Sequence, residues 1–299
     1  MDGWMTMAAR GGLYASVMLV FGVACFRLRL SQVDTVLDVR FRRIVILAAI
    51  VGLLFSIIAF LAMVAGMTGT SSFEANAPIA RMLLVQTPVG HAGVAREALL
   101  AIALIVGFAA ARWAWPTTML AGMALATLAW SGHGAMDEGW RGALHLAMDV
   151  AHLLAAGAWI GALVALLVLA LRASGRPSGS AAVLASASIG FASTGTLIVI
   201  VLGITGIANY LFIAGPEWKD LVSSTWGIVL LAKLAVFGLM LMLAAANRYR
   251  FAPRLASSLD SDTKGVAIAH LRRSLWLELT LGLTVLALVG WLGTLAPDA

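Results

Sequence analysis

Eight apolar runs, each long enough to cross a lipid bilayer as a helix, restrict the fold of this chain more than any other feature. About 20 apolar residues in a helix span the roughly 30 Å hydrocarbon core of a membrane. The fourth run is short and opens on Trp115-Pro116, with proline in the tolerated first turn. The runs cover residues 11–28, 44–66, 94–112, 116–132, 142–171, 185–214, 224–247 and 275–295. The sequence therefore predicts an all-α fold, a polytopic integral membrane bundle of about eight transmembrane helices.

Composition supports this class and argues against a soluble protein. Hydrophobic residues make up 62% of the 299 residues and charged residues only 11%, whereas soluble domains carry roughly 25% charged residues. The formal charge of +6 does not indicate nucleic-acid binding, because the basic residues lie in short loops between apolar runs. We expect the lipid bilayer, and no nucleic acid, as the surroundings of this chain. Its single cysteine excludes a Cys-x-x-Cys metal site.

The distribution of basic residues predicts the orientation. Loops on one side carry most of them, and the opposite side has few, which places the basic side in the cytoplasm and both termini in the periplasm. An even number of spans agrees with this. The basic side holds Arg27, Arg29, Arg40, Arg42, Arg43, Arg112, Arg172, Arg176, Arg248, Arg250, Arg254, Lys264, Arg272 and Arg273; the other side holds Arg10, Arg81, Arg96, Arg141 and Lys219.

A Gly/Ser/Arg-rich linker at 172–180 divides this single membrane domain of residues 1–299. The part before it, 1–171, has five predicted helices, and the part after it, 183–299, has three. The more polar segment 67–93 predicts an outer loop with a short interfacial helix. Because no phosphate-binding loop and no soluble domain are present in the sequence, ATP-driven pumping is unsupported. We expect a binding or transport protein rather than an enzyme, and the sequence leaves its oligomeric state open.

Four of the five histidines fall on the predicted outer side, and two of them share a helix with an aspartate. The fifth span reads His145-Leu-Ala-Met148-Asp149-Val-Ala-His152. At ~100° per residue, Asp149 lies ~40° from His145, and His152 lies ~20° to the other side. The three side chains therefore form one stripe, spread over ~10 Å along the axis. Neighbouring pairs, completed by His91 or His133 from other segments, would suit one metal ion better than the whole stripe.

The residue types point to metal-ion chemistry. Imidazole with carboxylate suits copper(II), and imidazole with thioether suits copper(I). The alternative is a buried Asp149–His152 pair with a purely structural role. That role is disfavoured because an aspartate at the bilayer centre costs at least ~2.5 kcal/mol on insertion scales.

Further polar and thioether side chains could assist such a site. Lys233 and Glu278 lie within spans and need partners, for which Asp149, Asn209 or one another are candidates. Arg10 is expected to pair with an acid. Possible soft ligands are Met1, Met5, Met7, Met136 and Met148, although methionine is also common packing material.

Several stretches resemble the CopD family of bacterial copper resistance and copper homeostasis membrane proteins. The similarity runs in order along nearly the whole chain and is most specific in the histidine helix and in the Lys233-to-Asn247 helix. The stretches are Ala8 to Tyr14, Gly132-His133, His145 to Gly161, Gly206 to Tyr210, Trp226 to Lys233, Asn247 to Pro253, Leu271 to Glu278 and Leu292 to Pro297.

The resemblance implies a multi-pass bacterial inner-membrane protein that moves copper inward from the periplasm, with the small periplasmic copper-binding protein CopC as a partner. His133, His145, Asp149 and His152 match the histidine-rich part of the family pattern. Arg10, Asn209, Lys233 and Glu278 match its recurring intramembrane polar positions.

Three functions remain open from the sequence. The favoured one is a copper permease that relays Cu(I) or Cu(II) along the fifth helix, with Lys233 as a counter-ion for Asp149 when copper is absent. The second is a transmembrane haem-binding redox protein, which needs histidines from two facing helices. The third is a copper receptor or sensor partner that transports nothing.

Overall fold

The structure is a computed structural model that describes residues 3–30, 33–110, 112–131, 139–175, 178–215 and 220–295. These residues form a bundle of helices. The helices are α1 (Gly3–Arg29), α2 (Thr35–Thr68), α3 (Phe73–Gln86), α4 (Pro88–Ala109), α5 (Ala114–Ala126), α6 (Gly139–Ala173), α7 (Ser178–Ala214), α8 (Asp220–Ser223), α9 (Thr225–Ala246), α10 (Ala252–Ser257) and α11 (Lys264–Leu292). A 3₁₀ turn, Thr127–Ser131, continues α5, and a π-helical turn, Asn247–Phe251, continues α9.

Seven of the described helices are long and apolar enough to cross a membrane, namely α1, α2, α4, α6, α7, α9 and α11. The fourth predicted span corresponds to α5 and its 3₁₀ turn. Together they are about 30 Å long, because the 3₁₀ turn rises about 2 Å per residue. The prediction of a polytopic helical membrane protein is confirmed. The segment predicted as an outer loop contains α3, a helix of 14 residues.

Helix α1 lies at the centre of the bundle and packs against α2, α5, α6 and α11. Its closest approach is to α6, where glycines replace side chains. A Cβ atom on Gly22 would lie 2.0 Å from the Gly157 carbonyl oxygen, and one on Gly161 would lie 2.1 Å from the Gly22 carbonyl carbon. Without side chains between them the two backbones come into direct contact, as small residues allow in membrane helices. This contact sets the position of α6, and with it the histidine stripe.

Two ion pairs connect helix ends at the predicted cytoplasmic face. Asp34 caps the start of α2 by accepting from the Leu37 amide, and it also accepts from the Arg172 guanidinium at the end of α6, at 2.8 Å from Nη1. The hydrogen bond from Arg172 is the main reason that the pKa of Asp34 falls to about 2. On the adjacent turn, Asp38 accepts from Arg27 at 2.5 Å and from the Trp113 indole at 3.1 Å. These contacts connect α1, α2, the start of α5 and α6.

Candidate functional site

The predicted stripe on α6 is present, and its three side chains have different surroundings. The Nε2 atom of His145 lies 4.0 Å from Oδ2 of Asp149, one turn further along the helix. The His145 ring is 1% exposed and stacks on Phe212 of α7, with ring centroids 4.8 Å apart and planes 18° from parallel. His145 therefore lies between helices, while Asp149 and His152 are half-buried.

Two polar side chains of α7 bind the rest of the stripe. The Asn209 amide donates to Oδ1 of Asp149 at 2.6 Å, and the Thr205 hydroxyl lies 2.9 Å from Nδ1 of His152. Thr205 and Asn209 are four residues apart, so they face the same side of α7. Asp149 and His152 of α6 thus each have a polar partner on α7, and these contacts restrict the rotation of the two helices.

Asp149 and His152 line a cavity of about 240 Å³ between α1, α6, α7, α9 and α11. Five residues singled out from the sequence converge on it, and they come from four different helices. They are Arg10, Asp149, His152, Asn209 and Lys233. Tyr14, Met18, Tyr210 and Trp226 also line it. We refer to it as the polar cavity.

The polar cavity is lined by more basic than acidic side chains. Lys233 interacts electrostatically with both Asp149 and His152. Arg10 donates to the Gly293 carbonyl at 3.0 Å, at the end of α11. An acidic partner was expected for Arg10, and the partner that the structure describes is this carbonyl, an orphan acceptor of a helix C-terminus. Among the charged side chains that line the polar cavity, Asp149 is the one acid beside Arg10 and Lys233.

Comparison with known proteins identifies the group to which this architecture belongs. Residues 1–143 match the family model described as the copper resistance protein D-like N-terminal domain, and residues 185–292 match the model described as copper resistance protein D. Copper resistance protein D of Pseudomonas syringae pv. tomato is 37% identical over 305 residues, covering 100% of this chain and 98% of the relative. The chain belongs to the copper resistance protein D family.

A second relative agrees with the membrane assignment. Inner membrane protein YebZ of Escherichia coli (strain K12) is 30% identical over 288 residues, covering 95% of each chain. No solved structure matches. This member of the copper resistance protein D family is a multi-pass inner-membrane protein.

Not all of the residues proposed from the sequence lie at the polar cavity of this copper resistance protein D family member. His91 is on α4, where it is exposed and its Nε2 lies 2.9 Å from the Val85 carbonyl oxygen. Met5 is exposed near the start of α1. Met7 and Met148 are half-buried and are not among the residues that line the cavity. Met1, His133 and Met136 lie outside the described residues.

Glu278 belongs to a separate buried cluster. Its carboxylate accepts from the Trp159 indole at 2.8 Å and from the Asn247 amide at 2.7 Å, and the residue is 2% exposed. The candidates proposed from the sequence as its partners, Asp149, Asn209 and Lys233, lie at the polar cavity instead. The stretch from His145 to Gly161, which resembles the family, therefore contributes to both sites. Asp149 lies at the polar cavity, and Trp159 contacts Glu278 in the buried cluster.

The described residues hold no ready-made metal centre, because no three His, Cys, Asp or Glu side chains among them come close enough together. Copper at the polar cavity would take Asp149 and His152 as its anionic and imidazole donors. Further donors would come from side chains such as Met18, whose thioether lines the cavity, or from His133 beyond the described part. This donor set is compatible with either oxidation state of copper.

Two neighbours of the candidate site, Thr205 and Met18, and one buried arginine on α4 were missed from the sequence. Thr205 and Met18 are ordinary helix residues, and nothing in their spacing distinguishes them from packing residues. Arg96, assigned from the sequence to the outer side, is 6% exposed on α4 and donates to Ser56 of α2 at 2.9 Å. An arginine inside a membrane span needs a polar partner. The position of Arg96 as the third residue of the third predicted span could therefore have indicated its burial.

Proposed function

We propose that this protein is a copper permease that takes copper from the periplasm and moves it across the inner membrane. The observation that carries the proposal is the polar cavity, where Asp149 and His152 face Lys233 inside the bundle. A carboxylate and an imidazole are suitable copper ligands, and both line one cavity between helices. Family membership supports copper as the ion.

The relay follows from the order of the donors along α6. Copper first binds near His145, toward the predicted outer end, with His133, which precedes α6 in the sequence, as a further predicted donor, and then passes to Asp149 and His152. Successive donors on one helix face are ~5 Å apart along the axis. At that spacing a new ligand can bind the ion before the previous one is released, so the ion never loses all of its ligands in the low-dielectric interior.

Lys233 acts as the counter-ion of Asp149 in the absence of copper. Ionisable residues inside a membrane protein usually pair with one another, and Lys233 lines the same cavity as Asp149. Arriving copper displaces the ammonium group from Asp149. When copper leaves, Lys233 returns, which favours release toward the next part of the path.

A periplasmic copper-binding protein of the CopC type is the expected donor. The histidines near the start of α6 lie at the predicted periplasmic end, where such a protein would dock. Copper handed over there would avoid free ions in the periplasm.

A haem-binding function is less compatible with the histidine positions. Haem with two axial histidines needs ligands from facing helices. His145 and His152 lie on the same helix, and His91 is exposed on α4 with its imidazole at the Val85 carbonyl. No observation among the described residues favours haem over copper.

The test compares metal content and visible spectra of the purified protein after copper loading with those of a His145→Ala/Asp149→Ala/His152→Ala variant. Copper bound by the native protein and lost from the variant supports the site, and a Soret band would establish haem instead. Equal copper in both proteins would contradict the proposal. An Asp149→Asn/His152→Gln variant of nearly unchanged shape controls for misfolding. Copper uptake by vesicles then separates a permease from a receptor that binds copper without moving it.

A further inference from the structure

Two more cavities continue from the polar cavity toward the predicted cytoplasmic side. The middle cavity, about 480 Å³, is mostly apolar and shares His152, Gly206 and Lys233 with the polar cavity. The inner cavity, about 290 Å³, is lined by Asn247, Arg248 and Glu278 among others. In the part of the chain that the structure describes, Trp159 is the residue that lines both the middle and the inner cavity. The side chain of Trp159 therefore separates them.

The orientation of Trp159 is fixed by contacts at both edges of its indole. Its Nε1 donates to Oε1 of Glu278 at 2.8 Å, and its ring meets Phe237 of α9 edge-on, with centroids 5.8 Å apart at 70°. The residue is 5% exposed. The hydrogen bond to Glu278 is its one described polar contact, and the contact with Phe237 is apolar and weaker. A change at the Glu278 carboxylate would therefore release the indole.

At the inner cavity, the side chains of Glu278 on α11 and Asn247 after α9 are in contact. The second carboxylate oxygen of Glu278 accepts from the Asn247 amide nitrogen at 2.7 Å. The Asn247 Oδ1 atom is buried and has no hydrogen-bond partner among the described residues. Asn247 begins the π-helical turn after α9, and such turns are frequent at functional sites. A carboxylate next to an unpartnered amide oxygen is suited to a cation.

The neighbouring arginine does not neutralise this carboxylate. Arg248 also lines the inner cavity, but its guanidinium donates to the Thr196 hydroxyl and, at 3.3 Å, to the Ala192 carbonyl of α7. The described partners of Glu278 are the neutral donors of Trp159 and Asn247. The inner cavity thus has an acidic group free of any described ion pair, unlike Asp149 in the polar cavity.

We propose that Trp159 is a gate between the middle cavity, which adjoins the polar cavity, and the inner cavity, and that Glu278 with Asn247 is the inner cation-binding station of the same path. This inference rests on the proposed transport of copper. In the resting state the indole N–H occupies the carboxylate and the ring closes the path. A cation that has left Asp149 and His152 attracts the Glu278 carboxylate, the N–H···O bond breaks, and the ring turns aside. The cation then binds Glu278 and the Asn247 oxygen before it reaches the cytoplasmic side.

The first variant is Glu278→Gln, which removes the negative charge and keeps the shape. Its amide oxygen still accepts from Trp159. Its NH₂ group can donate to Asn247 Oδ1 if the Asn247 amide turns over, so the hydrogen bonds of residue 278 to Trp159 and Asn247 can both be kept. Glu97→Gln on α4, away from the three cavities, is the matched control. Equilibrium copper binding and copper uptake into vesicles are measured for each protein.

We expect Glu278→Gln to bind copper with wild-type affinity at the polar cavity and to transport it at least tenfold more slowly, while Glu97→Gln transports normally. Wild-type transport by Glu278→Gln would overturn the inner station and leave the proposed function intact. A wild-type protein that moves no copper would overturn the proposed function, and the inner station with it.

The second test measures the gate without copper. Ser188 lines the inner cavity and is replaced by cysteine in a Cys25→Ser background, and a small water-soluble thiol reagent is added on the periplasmic side of intact spheroplasts. We expect labelling to be at least several-fold faster when Trp159→Ala is added. Trp276→Ala, on the exposed face of α11, should leave the rate unchanged. Equal labelling with and without Trp159→Ala would overturn the gate.

Discussion

The amide of Asn209 on α7 donates to Oδ1 of Asp149 on α6 at 2.6 Å, while Oδ2 of the same carboxylate points toward His145, 4.0 Å from its Nε2. One oxygen is therefore committed to α7, and the other remains beside an imidazole on its own helix. This division resembles the arrangement at metal sites in which a hydrogen bond from an outer residue orients the ligand. It makes Asn209 a positioning residue for Asp149.

Replacing Asn209 with alanine should weaken copper binding. Without the amide the carboxylate loses its orientation, and losses of this kind typically lower metal affinity by about 10–100-fold. Isothermal titration with copper checks this. Asn76→Ala is the control, because Asn76 lies on α3 and donates to the Thr70 carbonyl, away from the cavity. Unchanged affinity in Asn209→Ala would show that Asp149 does not depend on Asn209 for binding.

Replacing Lys233 with alanine should increase copper affinity and reduce transport. The competing ammonium group is removed, so copper no longer has to displace it, and release becomes slower for the same reason. Copper affinity and vesicle uptake are measured side by side, with Lys264→Ala at the start of α11 as the control. If Lys233→Ala changes neither quantity, the counter-ion role is wrong.

Adding a methyl group at Gly161 should destabilise the bundle. The new Cβ would lie 2.1 Å from the backbone of Gly22, so α1 and α6 would have to separate, and overpacking of this kind costs about 1–3 kcal/mol or more. Thermal unfolding in detergent should show a lower Tm. Gly238→Ala on α9 is the matched control, because no atom lies within 4 Å of its new Cβ. It should be neutral, or more stable by about 0.5–1 kcal/mol through its helix propensity. Equal Tm values for the two variants would contradict the close α1–α6 contact.

The ion pair of Asp34 with Arg172 should stabilise the protein equally across the neutral pH range. The pKa of the Asp34 carboxyl, about 2, lies below the ordinary aspartate value of about 3.9. The contribution is therefore fully present above the ordinary value and disappears as the pH falls through about 2. Asp34→Asn keeps an oxygen for the α2 cap and loses the charge.

We expect a small Tm decrease for Asp34→Asn, because the Asp34 side chain is 54% exposed and exposed pairs contribute little. The decrease should be constant from about pH 8 to pH 5 and should diminish only below about pH 4. Differential scanning measurements of both proteins in the same detergent give this profile. If the Tm difference between the two proteins has already vanished at pH 6, a group other than Asp34 is responsible for it.

The positions of the membrane-spanning helices along the chain could be predicted because they depend on local sequence. Runs of apolar residues fix where a helix crosses the membrane, and the 3.6-residue period places His145, Asp149 and His152 on one stripe. The short fourth span was also located, but its 3₁₀ continuation was not, because the apolar character alone does not distinguish an α-turn from a 3₁₀ turn. Arg10, Asn209 and Lys233 were singled out through the family resemblance, and their convergence with this stripe at one cavity is a result of the tertiary structure.

Sequence alone determined that this chain is a helical membrane protein with a polar stripe on its fifth predicted span, since hydropathy and helical periodicity are properties of neighbouring residues. Tertiary structure alone decided which polar side chains meet: Thr205 with His152, Gly293 with Arg10, and Trp159 and Asn247 with Glu278. These pairs are far apart in the chain, so they depend on how each helix is rotated and how deeply it packs. The glycine contact between α1 and α6 sets part of that rotation through steric contact of two backbones, which no local pattern encodes.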